Sequence, residues 1–473
     1  MKTFGPRIHL RNKGLALVVV LWVMAVLVLL ATGLAVTVRS EVQVGSFNSS
    51  QFRALYLAQA GASYALQALA EDDPSYDGYT EDWAEINSVE EGLEFDNGKF
   101  VVHVFDESSK LNLNLASRET LGAFFGNDEL ADSIVDWRDA DSDPLVSGGE
   151  NDYYSQLPFP YQCKNAPFDT VHELLLVKGM THELFYEGLS EVGVGMGSGG
   201  DSVPLPQLLT VHSGVQNTSA EGIGRVNINT ASAEELENAL SDVLAGEQIQ
   251  AIVNYRDEGS GNGPPSSGFT GGAPPGRQGG FGGGSSGQTG TGGFGGQEAA
   301  ISSLADLLNV PTLSRENVKD ILDRITLTDD EQLDNIVNIN TVTYEVLRSL
   351  AGMTEQAAQD VIAYREGGSG PFVSVGQLLD LTTLDDTSLE EVLEWASARS
   401  GVFRIVTVGI SHYTNSRQVI ESVVVRARPI PEEQNEQTVG GGVQASVSGN
   451  AGLTGVESEE VGTTFAVLYQ RER

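Results

Sequence analysis

The stretch Asp136-Trp137-Arg138-Asp139-Ala140-Asp141-Ser142-Asp143-Pro144, followed by Gly148-Gly149-Glu150-Asn151-Asp152, crowds carboxylates into a short span of chain. Acids at alternating positions 139, 141 and 143 put oxygen ligands close together without needing a helix. Calcium accepts about six to eight oxygens in flexible geometry. Such an ion would offset the mutual repulsion of Asp139, Asp141 and Asp143, and Glu150 or Asp152 could close the shell from across the glycine turn. The spacing is not that of the twelve-residue EF-hand loop, and a solvated acidic loop accounts for the same residues, so both readings stay open on this stretch alone. Covalent chemistry has less to build on. Cys163 is the single cysteine, with His172 nearby; a lone cysteine in a loop is a simpler account than a thiol nucleophile. His103, His172 and His182 lack metal-ligand spacing, and no nucleophile–base pairing appears. The chain does not read as an enzyme.

The elements that must carry this loop repeat. Leu111-Asn112-Leu113-Asn114-Leu115-Ala116-Ser117, Val226-Asn227-Ile228-Asn229-Thr230-Ala231-Ser232 and Val337-Asn338-Ile339-Asn340-Thr341-Val342-Thr343 are three versions of one phrase. Each is followed by an aromatic-Arg pair, Trp137-Arg138, Tyr255-Arg256 and Tyr364-Arg365. Each copy closes on a third phrase, beginning at Phe168, Ile301 and Phe372. Matched phrases in fixed order mark internal duplication. Ser117, Ser232 and Thr343 fall where a helix begins and can cap its free N–H groups, and Ser232 with Glu235 completes a capping box. The arginines sit near helix ends, where a cation suits the dipole. Each copy therefore reads as a helical hairpin followed by a third short helix. The acidic loop hangs from the first copy. A Gly-rich tract, 259–297, splits the second and has too little to bury to order itself.

Outside the repeats the pattern changes. Leu55, Ala58, Ala62, Ala65 and Leu69 recur at helical spacing. Leu93 to Phe105 reads as a hairpin turning at Asn97-Gly98. Strand signals return at 403–410, 418–427 and 464–469, with an acidic, apolar-poor loop at 430–461. The fold class expected is α+β: an N-terminal transmembrane and stalk helix packed on a small antiparallel sheet, interrupted by a large inserted all-α domain of helix-hairpin-helix-like repeats.

At the N-terminus, Arg11, Lys13 and Gly14 stand directly before an apolar run without charge from Leu15 to Val38, closed by Arg39. Roughly 20 apolar residues span a bilayer core. Arg7, Arg11 and Lys13 precede the span, which keeps the N-terminus cytoplasmic and puts the rest of the chain on the other side. The net charge of −38, with a pI near 4.3, repels phosphate backbones and anionic membranes.

The basic-Gly-apolar order resembles the class III leader of type IV pilins and type II secretion pseudopilins. That resemblance implies cleavage by the prepilin peptidase between Gly14 and Leu15, with methylation of the new N-terminus. The helical repeats resemble those of the DNA receptor of natural competence, but with acids around hairpins that hold fewer glycines, so nucleic acid is not expected. Leader, stalk, interrupted sheet, repeats and the acidic loop together resemble the K-type minor pseudopilin of type II secretion. The resemblance implies calcium held by Asp139, Asp141, Asp143, Glu150 and Asp152. Counting from Leu15, the fifth residue is Val19, where most pseudopilins carry glutamate; valine resembles the K type and implies a place at the pseudopilus tip. The partners implied are the I and J minor pseudopilins, the major pseudopilin, the inner membrane and secreted substrate. The boundaries expected are a leader at 1–14, a membrane helix at 15–38, stalk and first strands at 39–109, repeats at 110–200, 201–310 and 311–400, and closing strands at 401–473.

Overall fold

The structure, a computed structural model, describes residues 13–73, 75–89, 91–188, 203–259, 301–427 and 464–472. Helix α1, Lys13–Glu71, is 59 residues long, about 90 Å at the α-helical rise. Its surface changes character near Ser50. Residues 17–49 are exposed throughout, including Leu21, Trp22, Leu29 and Leu34. From there on Ser50, Ala54, Ala58, Ala62, Ala65 and Leu69 form a buried face. Ala54, not Leu55, begins the apolar part of that face; Leu55 is half-buried. The small residues have a physical reason. Strand β3 approaches so closely that a Cβ on Gly409 would sit 1.9 Å from the Ala54 carbonyl.

The sheet beside α1 comprises β1 (Leu93–Phe95), β2 (Gly98–Asp106), β3 (Val402–Ser411), β4 (Arg417–Ala427) and β5 (Thr464–Glu472) in the spatial order β1-β2-β3-β4-β5, antiparallel throughout. Alternation along β3 buries Phe403 and Ile405 against Trp83, Val102, Val104 and Leu69. The hairpin turns one residue earlier than expected. Phe95 pairs with Gly98, which leaves Asp96-Asn97 as the turn. Gly98, at φ +152°, begins β2, and a Cβ there would lie 2.2 Å from the Ile410 carbonyl. Its glycine serves strand contact, not the turn.

Between β2 and β3 stand the repeats. Copy one places α2 (Arg118–Phe125), α3 (Asp128–Arg138) and, after a 3₁₀ turn at Val171–Leu176, α4 (His182–Glu187). Copy two places α5 (Ala233–Leu240), α6 (Gly246–Gly259), a 3₁₀ turn at Leu304–Asn309 and α7 (Arg315–Ile321). Copy three places α8 (Tyr344–Leu347), α9 (Glu355–Glu366), a 3₁₀ turn at Val375–Asp380 and α10 (Asp386–Trp395). The third phrase is thus a 3₁₀ turn, and a further helix follows it. Each copy is then closed by a two-residue parallel ladder: Leu111–Asn112 with Leu209–Thr210, Val226–Asn227 with Ile325–Thr326, and Val337–Asn338 with Ala396–Ser397. Residues 201–210 and 311–326, assigned from sequence to the openings of the second and third copies, instead hold the ladders that end the first and second. The signal was missed because the closing helices share no phrase across the copies.

The phrase itself has a hydrogen-bonding logic. Its first Asn turns the chain: Asn112, Asn227 and Asn338 each accept from the N–H two residues on, at 2.8, 3.0 and 2.9 Å. Its second Asn reaches the third phrase, with Asn114, Asn229 and Asn340 donating to the carbonyls of Phe168, Ile301 and Phe372 at 3.0, 2.9 and 2.8 Å. The helix caps are in place, Ser117, Ser232 and Thr343 accepting from the N–H groups of Thr120, Glu235 and Val346. The arginine of each aromatic-Arg pair has a more specific task than balancing a dipole. Arg138 donates to the carbonyls of Leu113 and Ala116, Arg256 to Ile228 and Ala231, and Arg365 to Ile339 and Val342. In every copy the end of the second hairpin helix is tied to the opening phrase. The loop at 430–461 lies outside the described residues, as does the Gly-rich tract apart from Gly259.

Candidate metal centre

The acidic loop begins where α3 ends. Asp132 and Asp136, one helical turn apart on α3, are both buried and act as its anchors. Asp132 accepts from the Ser147 N–H at 3.1 Å and from Arg118 Nε at 2.5 Å. Asp136 accepts from the Leu145 N–H at 3.1 Å, and burial raises its pKa. The loop returns so tightly that a Cβ on Gly148 would stand 1.9 Å from an Asp136 carboxylate oxygen. Behind the loop, Trp137, Tyr154 and Tyr161 stack edge-on and tilted, with centroids 5.2 Å apart from Trp137 to Tyr154 and from Tyr154 to Tyr161. Asn151 accepts from the Cys163 N–H at 2.8 Å. The Cys163 thiol is buried and pushed up to about 11 by that burial, which leaves it protonated and unsuited to nucleophilic attack.

On this frame Asp139, Asp141 and Glu150 come together, one carboxylate oxygen of each lying within 4.8 Å of the others. Asp139 is half-buried, Asp141 exposed and Glu150 buried. Neither oxygen of Glu150 has a hydrogen-bond partner, nor has Oδ1 of Asp139 or of the neighbouring Asn165, and all four atoms are buried. Burial first, and then the like charge of Asp136 and Asp139, raises the Glu150 pKa; burial and the Asp141 charge raise that of Asp139. Buried oxygens without donors are rare in native proteins, and a cluster of them is what a hard cation satisfies. The donor set fits calcium: all oxygen, with no sulfur or imidazole.

Asp143 and Asp152 are exposed and outside this group. The Asp143 N–H donates to Asp141 Oδ1 at 2.8 Å, so Asp143 shapes the loop through its backbone. Asn165, at φ +43°, donates to the Asp141 carbonyl. It was missed because it lies far along the chain, and an asparagine in a loop carries no signal of its own. Gly14 and Leu15 lie in the first turn of α1 by backbone; Val19 is on its bare portion, 54% exposed.

Residues 112–190, which enclose this loop, match the family model described as type II secretion system protein K. Over this segment the chain is similar to the type II secretion protein K family. Residues 334–396 also match the helix-hairpin-helix motif. Among curated proteins, the K-family similarity extends to type II secretion system protein K of Aeromonas hydrophila, 27% identical over 37% of this chain and 61% of that protein. It extends also to protein K of Pectobacterium carotovorum, 26% identical over 37% of this chain and 60% of that protein. The chain therefore spans about three-fifths of the length of these relatives. A chain in the solved GspK-GspI-GspJ complex of the enterotoxigenic Escherichia coli type 2 secretion system aligns over 92% of this chain and 99% of that one, at 12% identity and a TM-score of 0.43.

Proposed function

We propose that this protein is a minor pseudopilin that caps the tip of the type II secretion pseudopilus and takes part in protein export across the outer membrane. The observation that carries the reading is a protein K domain inserted into a sheet that rests on a membrane-length helix. The bare part of α1 is apolar and uncovered by the rest of the protein, so it needs lipid or other helices around it. The head, placed between β2 and β3, is too bulky for the body of a filament and is accommodated at an end. The protein works by assembly, without catalysis. Its partners are the I- and J-type minor pseudopilins and the major pseudopilin, with secreted substrate meeting the head. It sits in the inner membrane as a single-pass protein, N-terminus cytoplasmic and head periplasmic, after the prepilin peptidase cuts between Gly14 and Leu15. Val19 at mature position five removes the need to dock beneath another subunit's N-terminus. Calcium held by Asp139, Asp141 and Glu150 stiffens the head, with Asp143 and Asp152 beside them.

The helix-hairpin-helix match favours a second reading, a membrane-anchored DNA receptor of competence type. Two features weigh against it. Residues 337–397 hold ten acidic and two basic residues, whereas phosphate contact needs net positive charge. Gly352, the hairpin glycine at φ +73°, is packed against the Ser388 carbonyl of α10, 2.5 Å from where its Cβ would stand. The test is the intact mass of the membrane-extracted protein together with co-purification of the I and J subunits. A methylated chain starting at Leu15 that brings them down supports the reading. A chain retaining Met1, free of both subunits and binding duplex at low salt, overturns it in favour of the receptor.

A further inference from the structure

A second group of carboxylates lies at the base of the head, far along the chain from the acidic loop. Asp72 follows the last residue of α1, and Asp77 and Glu81 follow in the segment leading to the sheet; one carboxylate oxygen of each lies within 4.8 Å of the others. Arg426 of β4 answers part of this charge, donating to Asp77 at 2.7 Å and to Asp72 at 3.0 Å. Asp77 is then fully used, since its other oxygen accepts from the Ser400 N–H at 2.8 Å. One guanidinium against three carboxylates leaves a buried excess of negative charge.

Glu81 shows where that excess is concentrated. Its side chain is 7% exposed. One oxygen accepts from the Gly78 N–H at 2.7 Å and from Trp83 Nε1 at 3.1 Å. The other, Oε1, is buried without a partner, and the Asp72 carboxylate lies beside that of Glu81. Two acceptors facing each other in a buried place require a positive species between them. The approach suits a cation. An open groove of about 590 Å³ reaches both residues, and Glu71, Asp73, Asp82 and Glu85 line it together with Asp72 and Glu81, with no basic side chain among its lining residues. Walls of one sign concentrate counter-ions.

The geometry points to a second divalent-cation site in this protein, held by Asp72 and Glu81 at the end of the stalk helix and filled through the acidic groove. The ligands are carboxylates, so the ion is a hard one, calcium or magnesium. Its position matters because three parts meet there. Asp72 and Glu81 follow α1, Arg426 belongs to the sheet, and Asp77 is bonded to Ala398 and Ser400 at the end of the third repeat. An ion would therefore tie the stalk, sheet and head together. Burial also raises the pKa of both Asp72 and Glu81, so a shared proton is the competing occupant.

The test uses the full chain in detergent, with calcium counted by equilibrium dialysis and terbium luminescence excited through tryptophan, since Trp83 contacts Glu81 directly. E150Q disables the loop site, E81Q the stalk site, and the double variant both. E150Q is expected to retain one tryptophan-sensitised terbium site, which E81Q/E150Q loses; W83F is expected to keep the calcium and lose the luminescence. E85Q, at the groove's rim and outside the core, is expected to weaken binding a few-fold at low salt. If E81Q folds and binds as much calcium as the parent at the same affinity, or if E150Q binds none at neutral pH, a proton neutralises the pair and the proposal is overturned. Equal calcium counts in E150Q and the parent would instead count against the loop site alone.

Discussion

Arg365 offers the sharpest test of how the repeats hold together. Its guanidinium donates to the carbonyls of Ile339 and Val342 at 2.9 and 2.8 Å, and both of those residues are fully buried. R365M keeps the stem and removes the charged head. Two buried carbonyls then lose their donors, at about 1–3 kcal/mol each. The desolvation that lowers the Arg365 pKa is relieved at the same time, which returns part of the loss. The net expectation is about 3 kcal/mol, felt in the third repeat. Hydrogen exchange reads it locally: amides of α8 and α9 should lose about a hundredfold of protection, at about 1.4 kcal/mol per tenfold. K319M is the control, because Lys319 pairs with the exposed Glu316 and Asp380 and such pairs contribute about 0–1 kcal/mol. If R365M exchanges as slowly as the parent, or if K319M matches it, the carbonyl clamp does not stabilise the copy and the repeat logic drawn from it fails.

Three further outcomes follow from the same geometry. G148A should remove the loop ion's share of the calcium stabilisation while leaving the stalk helix intact by circular dichroism, because its methyl would collide with Asp136; an unchanged calcium-dependent melting shift would refute this. E150Q should lose the loop ion's share of the shift as well, which in the parent is worth about 2.7 kcal/mol at an ion concentration a hundredfold above Kd, and keep the share that comes from the stalk site. Asp106, buried at the base of the head, is raised to about 6 by burial. Its folded pKa lies above the unfolded value, so the folded state binds the proton more tightly, and stability falls as pH rises from about 4 to about 6. D106N should flatten that slope, and chemical denaturation at pH 4, 5 and 6 checks it.

Much of this architecture could be read from residue types because periodicity and repetition are local signals. The stalk face, the strands at 403–410 and 418–427, and the capping residues of all three hairpins depend on neighbours within a few positions. What the sequence hid depends on partners far along the chain. The closing ladders are two residues long, too short to show alternation, and their partners lie roughly 60 to 100 residues away. The acidic loop was visible as a run of carboxylates, but which of them converge was not. The turn through Gly148 and Asn165 brings Asp139, Asp141 and Glu150 together and leaves Asp143 and Asp152 outside. Arg426 and Glu81 gave no signal at all, since neither stands in a motif and the group each joins with Asp72 and Asp77 assembles only when the sheet closes on the stalk.

The placing of the head between β2 and β3 also orders events as the chain folds. These strands are neighbours in the sheet, Asp106 facing Phe403, yet roughly 300 residues separate them. Closing a loop of that length in an unstructured chain costs about 5 kcal/mol beyond the constant term. The helical hairpins form from contacts a few tens of residues apart and carry no such penalty. Once the third copy closes, its end is bonded to both sides of the gap: Asn338 reaches Asp77 ahead of β2, and Ser400 donates to Asp106 at the end of β2. The repeats then act as a splint that delivers β3 to β2. The sheet and the grip of the sheet on the stalk come last, so a chain whose head fails to fold would present a bare apolar helix and two open strand edges, a natural target for proteolysis.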